Sequence, residues 1–137
     1  GYRGKTTRFH VETGPDSLFE RVRFKMGGQR QLGLHGPHVK QRAMEREAPL
    51  ELIQNFNSSD WELRTADVDM EKGKFVKSAW YKRLYGRDWW IVIGLGDVLM
   101  TVIDTDKFGL GPDVVRSGEL YDFVEDINRK LMKEDSA

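Results

Sequence analysis

From Trp61 onward, apolar and polar side chains alternate with a period near two, which is the pattern of half-buried β-strands. Four segments separated by glycine- or aspartate-containing turns predict strands, at residues 61–70, 74–85, 88–96 and 98–106. The last two contain the nearly continuous apolar runs WWIVI and VLMTVI. Such runs indicate central strands covered on both faces, or a sheet with helices packed on one side. We expect the four strands to form antiparallel hairpins.

Helical spacing of apolar residues predicts four helices, at residues 15–26, from Pro37 to about residue 48, at 49–56, and from Ser117 to the C-terminal region. The stretch GGQRQLGLHGP, in which five of 11 residues are Gly or Pro, predicts a loop before the second helix. The predicted fold is therefore α+β, with N-terminal helices packed on an antiparallel sheet of about four strands and a C-terminal helix.

The length of 137 residues and the 39% hydrophobic content favour a single domain with its own core. We interpret residues 1–36 as an N-terminal helix with the glycine-rich loop and residues 37–137 as the main core. The chain contains no cysteine, which excludes disulfides and thiolate metal sites, and no apolar run approaches the roughly 18 residues of a membrane span. We expect no cofactor and no metal. The first residue is Gly rather than Met, so we expect either that a tag was removed or that the domain is excised from a longer polypeptide.

The net charge is zero, but the charges are unevenly distributed. Residues 1–47 carry ten Lys/Arg against five Asp/Glu, and residues 74–96 carry five against one. Residues 48–73 carry two against six, and residues 97–137 carry five against ten. This separation favours a localised basic surface for an anionic ligand, with ordinary mixed surface charge as the alternative.

Three residues with functional side chains share one side of the helix predicted after Pro37. His38, Arg42 and Arg46 follow one another at intervals of four. An imidazole transfers protons near neutral pH and a guanidinium pairs with phosphate oxygens, so this set is typical of a phosphodiester site. The alternative is a solvated helix face on which the arginines pair with neighbouring glutamates.

The strand predicted at 74–85 interleaves cations with aromatic residues, a pattern that suits single-stranded nucleic acid. Lys82 and Trp80 are the substrate-binding residues we predict here, and His35, in the glycine-rich loop, is a further one. A half-buried strand with no ligand has the same composition, which is the alternative.

The order of these segments, HVKQRAMER, then PLELIQNF, then strands ending in MTVI, resembles the ribonuclease superfamily of barnase, EndoU, the tRNA-cutting colicins and RelE (the BECR fold). Within it, the similarity is to toxin domains with an H-x-x-x-R-x-x-x-R helix and a late strand reading TV, and it covers roughly residues 35–105. His38, Arg42 and Arg46 match the helix, and Thr101 with Val102 matches the late strand.

The resemblance implies a toxin-type, metal-independent endoribonuclease that cleaves RNA, often tRNA, by attack of the 2'-hydroxyl on phosphate. It implies that His38 transfers a proton, that Arg42 binds phosphate and that Thr101 supplies a hydroxyl contact. Arg46 is a second phosphate ligand or a structural partner of Asp69 or Glu71. It further implies secretion or delivery, as in contact-dependent growth inhibition, action in the target-cell cytoplasm, and neutralisation by a cognate immunity protein or antitoxin.

Two other classes remain open on the sequence. One is a non-catalytic module that binds nucleic acid or protein through the same cations. The other is an ADP-ribosyltransferase effector, although the chain contains no convincing Arg…STS…ExE series.

Overall fold

The computed structural model describes residues 3–10 and 28–105, which form a strand-rich α+β unit with two short helices. The strands are β1 (Thr7–His10), β2 (Gln29–Gln31), β3 (Gly33–Leu34), β4 (Asn55–Asn57), β5 (Glu62–Asp69), β6 (Lys74–Leu84), β7 (Arg87–Gly94) and β8 (Val98–Asp104). The helices are α1 (Pro37–Glu45) and α2 (Leu50–Gln54), and a 3₁₀ turn covers Ser58–Asp60. The α+β class and the four long strands predicted from the alternating pattern are confirmed.

Six strands form one sheet in the order β1-β5-β6-β7-β8-β3, and β2 pairs with β4 in a separate two-stranded ribbon. All neighbours in the sheet are antiparallel except β3 and β8. The expected number of about four strands was too low, because β1 and β3 add short edges at the two sides. These edges have four and two residues, too few for an alternating pattern to identify.

The central strand β7 is buried from Trp89 to Gly94, because both faces of the sheet are covered. On one face, which we call the α1 face, Trp80, Ile91, Leu99 and Val102 pack in the main core together with Val39 of α1. On the opposite face a smaller cluster contains Ala79, Trp90, Val92 and Ile103. The two clusters follow the alternation of side chains along each strand.

Helix α1 lies along β8, with its start near one end of that strand and its end near the other. Before the helix, the backbone N–H of His35 donates to the Leu99 carbonyl at 3.1 Å. After the helix, the Arg46 side chain donates to the Val102 carbonyl. Val39 and Ala43 are buried on the inner side of the helix. This arrangement places the functional side chains of α1 beside β8.

The segment predicted as one helix at 49–56 divides into α2 and β4. The helix ends at Gln54, whose backbone carbonyl and side-chain amide both bond the backbone of Leu32. Phe56 therefore enters a strand opposite Arg30. The same pairing corrects the prediction of a loop at 27–37, since that stretch contains β2 and β3. Backbone pairing with a distant partner outweighs local helical spacing here.

The helices predicted at 15–26 and from Ser117 lie outside the described residues, and both stay predictions. Within residues 3–10 and 28–105, no helix has the length and apolar character needed to cross a membrane.

Candidate functional site

Helix α1 presents His38, Arg42 and Arg46 along one side, as the sequence predicts. The helix begins at Pro37, after Gly36, whose φ of 153° lies in the region that favours glycine. His38 is half-buried and Arg42 is buried, with 7% of its surface exposed. Arg46 follows the last helical residue, and its backbone N–H donates to the Arg42 carbonyl at 3.0 Å. The two arginines therefore lie on successive turns.

Arg46 reaches the sheet, where its Nη1 donates to the backbone carbonyl of Val102. Burial lowers the pKa of Arg46, and the positive charge of Arg42 lowers it further, against weaker opposing effects of Glu45 and Asp104. Its structural partner is therefore β8. The sequence offers Asp69 or Glu71 as its partner, and Asp69 lies opposite Lys74 in the strand register, away from Val102.

Arg87, at the start of β7, contacts Arg46 from the sheet. Its Nε lies 2.7 Å from Asp104 Oδ2, and its Nη2 donates to the Arg46 carbonyl at 2.5 Å. The guanidinium also lies 4.5 Å from the centroid of the Trp89 ring. We call Arg42, Arg46 and Arg87 the arginine cluster.

Arg87 lies in the turn predicted before the strand at 88–96, where a cation is common, so the sequence does not single it out. The feature that identifies Arg87 is its position in the alternation of side chains along β7. Alternation places Arg87, Trp89 and Ile91 on one face of β7, and Ile91 packs in the core on the α1 face.

Lys82 lies on the same face and toward the same end of the sheet as the arginine cluster. In the strand register, Lys82 is opposite Trp89, and Trp89 is opposite Asp104. These three side chains form one row across β6, β7 and β8. The structure therefore brings Lys82 toward Arg46 and Arg87.

Thr101 lies on β8 next to Val102, but its side chain points to the opposite face of the sheet. Its register partner is Val92, which belongs to the smaller core cluster with Trp90. Thr101 is 3% exposed. The structure does not place its hydroxyl on the face that Lys82 and Arg87 share.

Trp80 packs in the core and is not an exposed stacking platform. Only 4% of Trp80 is exposed. Its ring meets the Phe56 ring edge-on at 5.0 Å, and its Nε1 donates to Ser78 Oγ at 2.8 Å. The interleaved cations and aromatic residues of β6 are thus, at this position, the ordinary alternation of a half-buried strand.

His35 is exposed and lies at the start of α1, away from the arginine cluster. It lines a groove of about 500 Å³ on the opposite face of the sheet, together with Arg3, Lys77 and Met100. The structure therefore separates His35 from Lys82, although both were predicted to bind substrate.

The arginine cluster and Lys82 concentrate positive charge at the end of α1, opposed by the carboxylates of Asp104 and Glu47. Glu47 offsets less of this positive charge than Asp104 does, because its Oε2 lies 3.8 Å from Arg87 Nη1 and its side chain is 81% exposed. In residues 3–10 and 28–105, no three His, Asp or Glu side chains are grouped as metal ligands would be. Guanidinium groups and a lysine suit the binding of an anion, and an imidazole on the same helix suits proton transfer.

Comparisons of the chain with protein-family models, curated proteins and solved structures find no match. Function is therefore inferred from the residues and their geometry.

Proposed function

We propose that the protein is a toxin-type endoribonuclease of the BECR class that cleaves RNA, tRNA in particular, without a metal ion. The observation that carries the proposal is the crowding of Arg42 and Arg46 beside His38 on one side of α1. The two arginines lie on successive turns, and burial together with the neighbouring positive charge of Arg42 lowers the pKa of Arg46. Two guanidinium groups held together in this way gain most from an anion that pairs with both.

The proposed reaction is transesterification within RNA. The 2'-oxygen forms a bond to the adjacent phosphorus, and the bond from phosphorus to the 5'-oxygen of the next nucleotide breaks. One proton leaves the 2'-hydroxyl and one joins the departing 5'-oxygen, so the products are a 2',3'-cyclic phosphate and a 5'-hydroxyl. His38 carries out one of these proton transfers.

The cations stabilise the charge that develops on the nonbridging phosphate oxygens in the transition state. Arg42 and Arg46 act from α1, and Lys82 acts from β6. Arg87 holds the end of α1 against the sheet through the Arg46 carbonyl and Asp104. Thr101 stays a prediction without geometric support, because its side chain lies on the other face.

The test is incubation of the purified protein with total tRNA in EDTA, followed by gel analysis and mapping of the fragment ends. We expect discrete fragments that end in 2',3'-cyclic phosphate. Arg42→Gln should reduce the cleavage rate by about tenfold or more, because a charged contact to the transition state is lost. Lys40→Gln is the matched control, since Lys40 is an exposed cation of the same helix. Intact RNA with the wild-type protein would contradict the proposal.

A second candidate is a module that binds RNA without cleaving it. The placement of Thr101 favours this candidate, because one residue of the expected catalytic set points away from the arginine cluster. Such a module would retain tRNA intact, and its affinity would fall steeply as salt is added, because phosphate contacts release counterions.

We also propose that a cognate immunity protein with an acidic surface neutralises the domain at the arginine cluster after delivery into a target cell. Complementary charge accelerates association. The association rate should therefore fall as salt is raised from about 50 to 500 mM, over which the Debye length shortens several-fold. A rate independent of salt would contradict docking at this surface.

A further inference from the structure

A second concave site lies at the other end of the α1 face, under the turn that joins β7 to β8. It is a cavity of about 340 Å³ between the β2–β4 ribbon and the six-stranded sheet. Phe56, Phe75 and Trp80 form its buried wall, with 3%, 8% and 4% of their surfaces exposed. The volume lies within the range of small-molecule sites.

The wall is apolar and held in place. The Phe56 and Trp80 rings meet edge-on with centroids 5.0 Å apart. The indole N–H of Trp80 donates to Ser78 Oγ at 2.8 Å, which fixes the orientation of the ring and brings a hydroxyl group to the cavity. A flat, largely apolar group fits such a wall.

Charged side chains lie on the solvent side of the cavity, with two cations against one carboxylate. Arg30 Nη1 lies 3.0 Å from Asp97 Oδ1, and their side chains are 30% and 41% exposed. Lys74 supplies the second cation and lies opposite Asp69 in the strand register. Among the charged residues that line the cavity, cations outnumber carboxylates, which favours an anionic ligand.

The turn that forms one side of the cavity is fixed to the segment that leads into α1. Asp97 has a φ of 57°, which is rare outside glycine, and its carbonyl accepts the backbone N–H of Gly33 at 2.9 Å. Two residues further on, the Leu99 carbonyl accepts the N–H of His35 at 3.1 Å. The cavity therefore lies at the end of the sheet where the helix that carries His38 begins.

We propose that this cavity binds one nucleotide of the RNA, with the base against the aromatic wall and a phosphate at Lys74 and Arg30. The nucleotide site is argued from the cavity alone, whereas the statement that the nucleotide belongs to RNA rests on the proposed function. Trp80 is thus a core residue whose ring also lines the proposed nucleotide site.

The experiment is a titration of the full chain with adenosine and uridine 3'-monophosphates, followed by NMR of the assigned indole N–H signals. The Trp80 signal should shift in a saturable manner, and inorganic phosphate at the same concentration should shift it much less. Lys74→Gln should weaken nucleotide binding about fivefold, the effect of losing one partly exposed charged contact. Lys40→Gln, which changes an exposed cation of α1, should leave the affinity unchanged.

A Trp80 signal that does not respond to nucleotides, or equal affinity in Lys74→Gln, overturns the proposal. An equal response to inorganic phosphate overturns the assignment of the base to the aromatic wall. The tRNA assay separates the two proposals. If tRNA is cleaved but nucleotides do not shift the Trp80 signal, the ribonuclease proposal is supported and the nucleotide site is contradicted. If nucleotides shift the Trp80 signal but tRNA stays intact, the nucleotide site is supported and the ribonuclease proposal is contradicted.

Discussion

Arg87 and Asp104 form an ion pair across β7 and β8 that also holds the end of helix α1. Arg87 Nε and Nη2 lie 2.7 Å and 2.5 Å from Asp104 Oδ2, and the same Nη2 donates to the Arg46 carbonyl. The Asp104 side chain is 2% exposed, whereas that of Arg87 is 27% exposed. The carboxylate is therefore removed from water and depends on its cationic partner.

Asp104→Asn should lower the free energy of unfolding by about 2 kcal/mol, since it leaves Arg87 partly buried without its charged partner. The measurement is urea denaturation followed by tryptophan fluorescence. Glu47→Gln is the control, because Glu47 is 81% exposed and 3.8 Å from Arg87, and it should change stability by less than about 0.5 kcal/mol. Equal effects of the two substitutions would contradict a special role for Asp104.

Tyr81 is the basis of a prediction at alkaline pH. Burial, together with the 2.6 Å hydrogen bond that Tyr81 Oη donates to Asp88 Oδ1, raises the pKa of Tyr81 to about 12. An unfolded chain releases this proton near pH 10. Between about pH 10 and 12 the folded state thus retains a proton that the unfolded state has lost, so stability falls as pH rises.

Tyr81→Phe should remove this contribution, so that its stability falls less between pH 10 and 12 than that of the wild type. At pH 7 it should be less stable by about 1 kcal/mol, the usual value of a hydrogen bond. Urea denaturation at a series of pH values measures both effects. An unchanged alkaline slope would show that the proton of Tyr81 is not linked to folding.

The turn between β6 and β7 offers a substitution that increases stability. Tyr85 and Gly86 form a two-residue connection with φ of 54° and 77°, values that suit Asn-Gly in such hairpins. Tyr85 is 82% exposed, so little packing is lost when it is replaced. Tyr85→Asn should raise the free energy of unfolding by about 0.5 to 1 kcal/mol. The midpoint of thermal unfolding should therefore also rise. Gly86→Ala should lower the midpoint, and a lower midpoint for Tyr85→Asn would show that the positive φ of residue 85 does not limit stability.

The long strands and α1 could be predicted because their patterns are local. The period of two identifies β5 to β8, and Pro37 with the buried Val39 and Ala43 identifies α1. β2, β3 and β4 could not be predicted in this way, since each is two or three residues long and depends on a distant partner.

The candidate site could be predicted only in part, for a related reason. The spacing of His38, Arg42 and Arg46 along one helix is visible in the sequence. The position of a strand residue on one or the other face depends on register, which a bulge can shift, and β7 and β8 contain such a shift between Val92 and Ile93. Thr101 lies directly after this shift in β8. Arg87 comes beside Asp104 only through the pairing of β7 with the part of β8 that follows Thr101.

The most direct test of the central claim compares tRNA cleavage in EDTA by the wild type, His38→Ala and Lys40→Ala. We expect the wild type and Lys40→Ala to produce fragments with 2',3'-cyclic phosphate ends at equal rates. His38→Ala should cleave at about one hundredth of the wild-type rate or below, the usual loss when a proton-transfer group is removed. Its thermal unfolding should confirm that it is folded. A folded His38→Ala that cleaves at the wild-type rate would contradict the assignment of catalysis to helix α1.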